Sequence, residues 1–566
     1  MNRYKCLFCA NVDFCQAYHS INRTNHDPHH TDQHLLICVK DSTKYSQALL
    51  LHSRSHIYHT NRVCSSCFMD LIIGIRYTCS CRIHLCEKSI FILIQEESMF
   101  TWFQSSSSPV NPRQRMLGSA ENALMKASQR YQGYMKIGEV LHLQGPYISL
   151  ETLTMAISRL QRRHPVLRSR LENDPTNSER YLLVEDDTLC LEILQIPRKR
   201  ADHLSFWSRE WRERERETTN IGQGLVKFWL LQDPNDDDDE NAPRELVIIS
   251  EHSVSDGLSL STVAHELLMI LGGDSGNIPT ESLNWPMTME DAIRESLSML
   301  SRWYLLSKFS FSAVYLHMTT RLATARLPLG TVNFSLTDMV NHCHTEVSYG
   351  ILNKDDTQKL IEQCHREGVT VTSAVSSAII CTASTLVCSN DDQETVIKFN
   401  IGADTRRRCV PPVPNHDLSY HVSAILPFLL PTRQTPKTTV DMWQLAKTIG
   451  SHIQTSIDAG QVLACGNIVG KLYEKVLGPP NVAQSPTCGV SSWGILPFHE
   501  QYGKWKLMAM TPFVNMIQAP LPFITIQTVN GVLTIMCVGP DPVIPRNSIE
   551  NFRNGIMNNL RQMIEV

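Results

Sequence analysis

The most informative stretch of this 566-residue chain reads Glu245-Leu-Val-Ile-Ile-Ser-Glu-His252-Ser-Val-Ser-Asp256-Gly257. Its apolar run predicts a buried strand, and the apolar periodicity of Leu258 to Leu271 predicts a helix directly behind it. The strand therefore delivers a histidine into a turn at the wall of a cleft. Because imidazole has a pKa near neutrality, His252 can take a proton from a hydroxyl or amine that attacks a thioester. We predict that Asp256 fixes the backbone of the turn and that Gly257 lets the chain turn tightly.

The same motif also has a purely structural interpretation. A histidine at the end of a strand can have all its hydrogen bonds satisfied, and Asp256 can act only as the cap of the following helix. The pattern HxxxDG does not separate the two interpretations, because short motifs also arise by chance. The surrounding sequence has to decide between them.

Regular elements are predicted on both sides of the motif. Ser149 caps an amphipathic helix that ends at Pro165 and places four apolar side chains on its inner face: Leu150, Leu153, Ile157 and Leu160. Leu225 to Gln232 forms a strand that pairs with the strand of the motif. Between them, Asp236 to Glu240 is a self-repelling acidic run, which we interpret as a solvated hairpin loop and not as a metal site.

Two stretches are unusual in charge or in aromatic content. Trp207 to Glu217 carries dense alternating charge, which predicts an exposed helix. Met299 to Met318 is amphipathic and rich in aromatic residues. For this second stretch we favour core packing or a solvated face over contact with a membrane.

A second lobe is predicted after the connecting loop that ends at Gly330. It opens with a strand, Glu346 to Leu352, which two helical runs follow: Asp355 to Arg366 and Thr372 to Leu386. Asn530-Gly531 marks the turn of a hairpin within Phe523 to Cys537, and a closing helix starts at Ser548.

Several motifs in a fixed order resemble those of the HxxxD acyltransferase superfamily. This superfamily includes chloramphenicol acetyltransferase, alcohol acetyltransferases, polyketide-associated acyltransferases, plant BAHD enzymes and the condensation domains of peptide synthetases. The resemblance covers about residues 115 to 566. It rests on Arg115-Met-Leu-Gly118 with Glu121, Gln161-Arg-Arg-His-Pro-Val-Leu-Arg168, His252 through Gly257, Asn400-Ile-Gly-Ala-Asp404-Thr-Arg406-Arg-Arg408, Tyr420-His-Val-Ser423 and Val490-Ser491-Ser-Trp-Gly494.

The resemblance implies an α/β fold in which mixed sheets form two chloramphenicol-acetyltransferase-like lobes around a central tunnel. The first lobe is expected to span 99–330 and the second 331–566. The histidine would lie near the middle of the tunnel. An acyl-coenzyme A donor would enter from one side, and a small alcohol or amine acceptor from the other.

The resemblance also implies a role for individual residues. His252 is the general base for direct attack on the thioester, so no acyl-enzyme, metal or permanently bound cofactor is expected. Asp256 and Gly257 support the site, and Asp256 pairs with an arginine of the second lobe. Arg406 is the expected partner, with its two arginine neighbours as alternatives. Ser491 and Gly494 are candidate contacts to the tunnel or substrate.

Departures from the superfamily's motifs narrow the expected subfamily. Glu251 stands where condensation domains and wax-ester synthases usually have a second histidine, and the DFGWG motif of BAHD enzymes is missing. The sequence is most similar to alcohol acetyltransferase-like and polyketide-associated acyltransferases, which favours an oxygen acceptor. Two alternatives stay open: a catalytically silent member that binds a ligand or a partner, and a condensation-type enzyme that uses carrier-protein thioesters.

The first 98 residues differ in composition from the rest of the chain. They hold nine of the 18 cysteines and nine histidines, but only one glycine and one proline. A zinc module is considered and disfavoured, because the candidate ligands lack a shared spacing: Cys6, Cys9, Cys64, Cys67, Cys79, Cys81, His84 and Cys86. We expect 1–98 to be poorly ordered or not part of the enzyme, which would then begin near Met99.

Composition excludes several functional classes. The chain has 42% hydrophobic and 19% charged residues and a formal charge of −4, so it lacks the basic excess of a nucleic-acid-binding protein. No transmembrane run or secretory signal is recognisable, and we expect a monomeric cytoplasmic enzyme. His164, His265 and Cys488 are expected to be structural, and the later cysteines to be buried or free thiols.

Overall fold

The computed structural model describes residues 113–236, 239–273, 281–320, 322–387, 394–480 and 485–565. Before residue 113 it gives only the backbone of five short strands, Arg3–Cys6, Asp13–Cys15, Leu36–Val39, Tyr77–Thr78 and His84–Leu85. The expectations for the cysteine- and histidine-rich segment 1–98 therefore lie outside the described residues. Residues Pro112–Val566 form one compact unit, to which the following description applies.

Strands and helices alternate along this unit. The strands are β1 (Gln114–Met116), β2 (Ile137–Gln144), β3 (Ser169–Asp174), β4 (Asn177–Glu185), β5 (Glu192–Pro197), β6 (Val226–Gln232), β7 (Pro243–Ser250), β8 (Ala323–Thr324), β9 (His344–Leu352), β10 (Thr395–Asp404), β11 (Val422–Ala424), β12 (Phe428–Pro431), β13 (Cys488–Ile495), β14 (Gln501–Tyr502), β15 (Trp505–Val514), β16 (Phe523–Val529) and β17 (Val532–Asp541). The helices are α1 (Ser119–Arg130), α2 (Leu150–Arg163), α3 (Phe206–Arg214), α4 (Gly257–Leu271), α5 (Met289–Ser296), α6 (Met299–Thr319), α7 (Met339–His342), α8 (Lys354–Glu367), α9 (Val371–Leu386), α10 (Thr439–Asp458), α11 (Gln461–Gly466), α12 (Val469–Val476) and α13 (Arg546–Ile564).

Two large mixed sheets organise the fold. The first has the strand order β5-β6-β7-β2-β15-β14, and the second has β8-β10-β13-β16-β17-β9, with β11 and β12 also paired to β10. A small sheet, β1-β4-β3, accompanies the first. The mixed α/β architecture agrees with the predicted fold class.

Strand β15 ties the second half of the chain to the first sheet. It pairs antiparallel with β2, from Lys506 opposite Gln144 to Val514 opposite Ile137. On its other edge β2 pairs with β7, the strand that leads to His252. The first sheet is therefore completed by a strand from near the end of the chain, although the connecting segment between the sheets lies near residue 330.

Apolar periodicity predicted several of these elements because their inner faces are buried. The predicted helix behind the motif is α4, and the predicted second-lobe strand and helices are β9, α8 and α9. The hairpin is also confirmed, since Asn530 and Gly531 both have positive φ angles between β16 and β17. On α2, Leu153, Ile157 and Leu160 are buried as expected, whereas Leu150 is exposed.

The prediction of an exposed helix at Trp207 to Glu217 is wrong. Helix α3 buries Trp207 and Trp211, and their rings lie 5.5 Å and 4.6 Å from the ring of Phe513 on β15. The alternating charges occupy the solvent side of the helix, and they conceal two tryptophans spaced four residues apart. That spacing was the available signal, because residues at i and i+4 share one helix face.

Among the described cysteines, all eight are free thiols, and only Cys190 is exposed. In the described part of the chain, no single helix is long and apolar enough to cross a membrane. The pair α8 and α9 meets that length and composition only when both helices are taken together across a bend of 99°.

Candidate functional site

His252 lies in the turn between β7 and α4, where its hydrogen bonds define one ring nitrogen as a base. Nδ1 lies 2.7 Å from the backbone carbonyl oxygen of Ser255. Because a carbonyl oxygen can only accept, Nδ1 carries the proton and Nε2 keeps its lone pair. Burial lowers the pKa of His252 below its ordinary 6.5, although the Ser255 carbonyl and the carboxylates of Asp256 and Glu251 oppose the shift. The imidazole is therefore neutral at physiological pH.

Buried polar contacts hold the turn around His252. The hydroxyl groups of Ser250 and Ser255 form a 2.7 Å hydrogen bond across the turn. Glu251 is buried; its Oε1 accepts a 2.5 Å hydrogen bond from Thr219 and lies 3.4 Å from the ammonium group of Lys136. The residue that precedes the histidine thus points away from it and anchors the strand end.

Asp256 combines a helix cap with an ion pair to the second half of the chain. Its Oδ1 accepts the backbone N–H of Ser259 at 3.0 Å, which caps α4. Its Oδ2 accepts from Nη1 of Arg406 at 2.5 Å and from the backbone N–H of His421 at 3.0 Å. Burial alone would raise the pKa of Asp256, but Arg406 and these hydrogen bonds hold it below its ordinary value. The buried carboxylate is thus held by Ser259, Arg406 and His421.

Arg406 is buried and is fixed by more than one acceptor. Besides Asp256, its Nη2 donates to the carbonyl of Ser419 at 2.8 Å, and Nη1 lies 3.4 Å from Oδ1 of Asp404. The two following arginines, Arg407 and Arg408, are exposed. Of the three candidates, the structure therefore brings only Arg406 to Asp256.

Gly257 is needed for space and not for a tight turn. It is the first residue of α4, and its φ is not among the positive values of the described glycines. A Cβ atom at this position would overlap the indole ring of Trp493 on β13. The expectation that Gly257 serves backbone freedom is therefore corrected: it lets a second-sheet tryptophan reach the base of the histidine turn.

Replacement of Gly257 by alanine should destabilise the protein by about 1–3 kcal/mol, because the new methyl group displaces the ring of Trp493. We expect reduced turnover and an altered tryptophan emission spectrum, which urea titration and fluorescence measure. Gly478→Ala is the matched control, since its nearest neighbours would be 3.5 Å away. If Trp493→Leu fails to restore the stability of Gly257→Ala, the steric explanation is wrong.

Ser491 and Gly494 lie on the same strand as Trp493. Ser491 is half-buried and pairs with Thr525 of β16. Gly494 has a φ of 76° at a β-bulge that follows Ser492, and it is exposed. The role of these two residues as contacts to a tunnel or substrate stays a prediction.

Two tyrosines that the sequence analysis did not name as site residues lie beside His252. The Tyr420 ring stands edge-on to His252, with ring centroids 5.0 Å apart, and its hydroxyl is bonded to that of Tyr473. Burial raises the pKa of Tyr420, and it raises that of Tyr473 to about 12, so both are neutral. Tyr420 stood within a quoted motif, but nothing in the sequence indicated Tyr473 on α12.

Glu139 is a buried carboxyl group of β2 close to helix α4. It accepts a hydrogen bond from the hydroxyl of Ser261, and its Oε2 has no hydrogen-bond partner among the described residues. Burial raises the pKa of Glu139 to about 8, and the hydrogen bond from Ser261 opposes this shift only in part. Glu139 is therefore protonated at neutral pH.

Replacement of Glu139 by glutamine should stabilise the protein increasingly from about pH 5 to about pH 8.5. The raised pKa means that the unfolded chain releases this proton first, so the native state loses stability as the pH rises towards the folded pKa. We expect little difference near pH 5 and a gain of about 4 kcal/mol near pH 8.5, measured by urea unfolding. Glu151→Gln, at an exposed position, should show no such trend; equal curves for both variants would contradict the assignment.

A cavity of about 580 Å³ opens between the two sheets, away from the histidine turn. His142 and Thr511 line it from the first sheet, and Tyr349 and Val532 from the second. His142 pairs with Glu245, five residues before the end of β7, so the cavity begins roughly 17 Å from the turn along the strand. The cavity and the histidine turn therefore lie at different places along β7.

The remaining sequence candidates lie in structural contacts. His164 is buried, and its Nε2 lies 2.7 Å from Glu266, which also binds Arg163. His265 Nδ1 lies 2.7 Å from the hydroxyl of Tyr502, and burial lowers its pKa to about 4. Burial raises the pKa of the Cys488 thiol, which disfavours a thiolate. Among the described residues, no cluster of three or more histidine, cysteine or acidic residues is placed to hold a metal ion.

Known proteins resemble this chain in family and in fold. Residues 345–537 match the family described as the phthiocerol/phthiodiolone dimycocerosyl transferase C-terminus. No curated protein matches the chain in sequence. The sequence match therefore lies in the second half of the chain, which includes Arg406, Tyr420 and Trp493.

Solved structures extend the resemblance to both lobes. Polyketide synthase associated protein 5 from Mycobacterium tuberculosis is 19% identical with a TM-score of 0.56, covering 79% of this chain and 98% of its own. The trichothecene 15-O-acetyltransferase from Fusarium sporotrichioides is 13% identical with a TM-score of 0.62, covering 81% and 97%. The condensation domain of the Monacolin K polyketide synthase is 11% identical with a TM-score of 0.59, covering 80% and 98%.

Proposed function

We propose that the chain is a member of the condensation/acyltransferase superfamily and that it transfers an acyl group from acyl-coenzyme A to an alcohol. An amine is the second choice of acceptor. His252 acts as the general base, and the acyl group moves directly without an acyl-enzyme. No metal or resident cofactor takes part.

The observation that supports this proposal most strongly is the tautomer of His252. The bond from Nδ1–H to the Ser255 carbonyl leaves Nε2 as the only ring atom able to accept a proton. A histidine kept solely for structure would gain by satisfying both nitrogens. The lowered pKa also keeps the ring in its basic form.

The proposed reaction balances around Nε2. As the hydroxyl oxygen of the acceptor bonds to the thioester carbonyl carbon, Nε2 takes the hydroxyl proton. The C–S bond then breaks, and the imidazolium returns that proton to the departing coenzyme A thiolate. The products are an ester and free coenzyme A, and His252 is again neutral.

Asp256 and Arg406 are positioning residues in this proposal. Their ion pair joins the start of α4 to the segment after β10, so it fixes the histidine turn of the first lobe against the second lobe. The precise separation of the two lobes decides whether donor and acceptor meet at His252, because a misplacement of 1 Å can cost about a hundredfold in rate.

The relatives support an oxygen acceptor. One is by name a 15-O-acetyltransferase, and the matching family is named for a dimycocerosyl transferase. The cavity of about 580 Å³ between the sheets is of the size that small-molecule ligands occupy. We infer that it holds part of a substrate beyond the reacting atoms.

The test of the proposal is turnover with a panel of thioester donors and acceptors. The full chain is incubated with acetyl- and longer acyl-coenzyme A and with alcohols and amines, and ester or amide is detected by mass spectrometry. Thiol release is a second readout, corrected for the exposed Cys190. Product that depends on enzyme and acceptor supports the proposal; acylation only from a carrier-protein thioester would replace it by the condensation-type alternative.

Turnover at low substrate concentration should rise with pH along a single limb whose midpoint lies below 6.5 and should then level off. The protonated imidazole cannot accept a proton, and burial shifts its pKa downwards. The measurement is kcat/KM between about pH 5 and about pH 8. His365→Ala, an exposed histidine on α8, should leave the limb unchanged. A midpoint above 7 would contradict the role of His252.

A further inference from the structure

Helix α6 exposes an apolar face along its whole length. It spans 21 residues, about 30 Å, and none of its residues is buried. Its exposed large apolar side chains form two groups on one side of the helix, with Ser307 and Lys308 between them: Met299, Leu300, Trp303 and Tyr304, then Phe311, Val314, Tyr315 and Met318. Phe311 and Met318 are 74% and 72% exposed, which leaves most of their surface in water. An exposed apolar surface of this extent marks an interaction site.

The opposite face attaches the helix to the second lobe. Leu305 packs against Gly460, where a Cβ atom would stand 2.7 Å from the leucine side chain. Ser298 caps the first turn through the backbone N–H of Ser301. Both faces of α6 are therefore apolar, one against protein and one against solvent, which explains why its sequence resembles a core helix.

The charges of α6 favour an anionic partner. Between Met299 and Thr319 the sequence contains Arg302, Lys308 and His317 and no carboxylate. Within the described part of the chain neither Arg302 nor Lys308 forms an ion pair, and the Nε atom of Arg302 is buried without an acceptor. The exposed Lys308 and His317 thus lie among the exposed apolar side chains, whereas Arg302 is half-buried.

We propose that α6 is a membrane-docking helix that lies in the interface of an anionic lipid bilayer. Tryptophan and tyrosine are the side chains that favour the headgroup level, while leucine, phenylalanine and methionine reach the acyl chains. The exposed, unpaired Lys308 can bind a lipid phosphate. An exposed helix face about 30 Å long fits a fluid layer, which adapts its shape to the helix. Docking here brings the acyltransferase fold to apolar substrates dissolved in the membrane.

The test is co-sedimentation of the full chain with vesicles of phosphatidylcholine alone or mixed with phosphatidylserine. We expect binding to be stronger on the mixed vesicles. The triple exchange Trp303→Ser, Phe311→Ser and Met318→Ser should weaken it by about a hundredfold or more. Lys308→Glu should remove most of the preference for phosphatidylserine.

The matched control replaces three equally exposed apolar residues of other helices, Met155, Val440 and Val476, by serine. Its vesicle binding should equal that of the unchanged protein. The exchanges on α6 should leave turnover of water-soluble substrates unchanged, since α6 lies outside the histidine site. Vesicle binding is read without any reaction, so failure of the proposed activity does not affect this test.

Three results would overturn the proposal. The unchanged protein does not bind either kind of vesicle; the triple serine variant binds as tightly as the unchanged protein; or the exchanges on α6 dissociate a dimer in solution. In the last case a second copy of the chain covers the face.

Discussion

Replacement of His252 by alanine should lower turnover by about 10²–10⁴-fold and leave the folded structure intact. The variant loses the only ring nitrogen placed to accept the acceptor's proton, so the hydroxyl must attack without a base. The side chain makes one hydrogen bond, to the Ser255 carbonyl, so the free energy of unfolding should fall by only about 1 kcal/mol. Mass-spectrometric product assays and urea unfolding measure the two quantities.

His252→Asn is the sharper companion variant. Its amide group can donate to Ser255 in place of Nδ1–H, but it cannot act as a base at neutral pH. Turnover should be as low as in the alanine variant. If either variant keeps turnover within tenfold of the unchanged protein, the base is another group. If the unchanged protein binds acyl-coenzyme A and does not turn over, the catalytically silent alternative is favoured.

Removal of Arg406 should destabilise the protein by about 3–5 kcal/mol, because Asp256 then remains as a buried and unpaired charge. Arg406→Met fills most of the vacated volume, so the loss reflects charge more than packing. Arg407→Ala and Arg408→Ala are matched controls at exposed positions and should change stability by no more than about 0.5 kcal/mol. Urea unfolding at neutral pH is the measurement.

The pH dependence separates this ion pair from general damage. The folded pKa of Asp256 is depressed, so its contribution is complete above the ordinary carboxyl pKa of 3.8 and is lost as the pH falls through the folded value. The gap between Arg406→Met and the unchanged protein should therefore shrink in acid. The double variant Asp256→Asn/Arg406→Met should regain part of the stability. Additive losses would show that the two residues do not interact.

Much of the fold could be predicted because burial leaves a periodic record. The apolar run before His252 and the apolar periodicity after it are typical of a buried β–turn–α unit. The Asn530-Gly531 turn has the positive φ angles that a two-residue hairpin requires. Helix α3 was misjudged because its charges outnumber the two tryptophans that carry its packing. For helix α6 the sequence left core packing and a solvated face open, because an apolar sequence does not show whether the apolar face is covered, and the structure has it exposed.

The site was less accessible to sequence analysis than the fold. Asp256 and Arg406 are 150 residues apart, and no spacing rule links them, so the family resemblance alone could offer a partner. The contact of Gly257 with Trp493 depends on the approach of two sheets, which no local pattern encodes. The hydrogen bond between the hydroxyl groups of Tyr420 and Tyr473 likewise depends on the packing of segments that are distant in the sequence. Long-range packing supplied each of these features.

The placement of β15 has a consequence for how the chain is made. The 360 residues 145–504 separate β2 from β15, so one edge of β2 is open while they are synthesised. An open edge of a buried strand readily pairs with other chains. During translation the first sheet is thus unfinished at β2, and a chain that ended before Trp505 would leave this edge open to pairing with other chains.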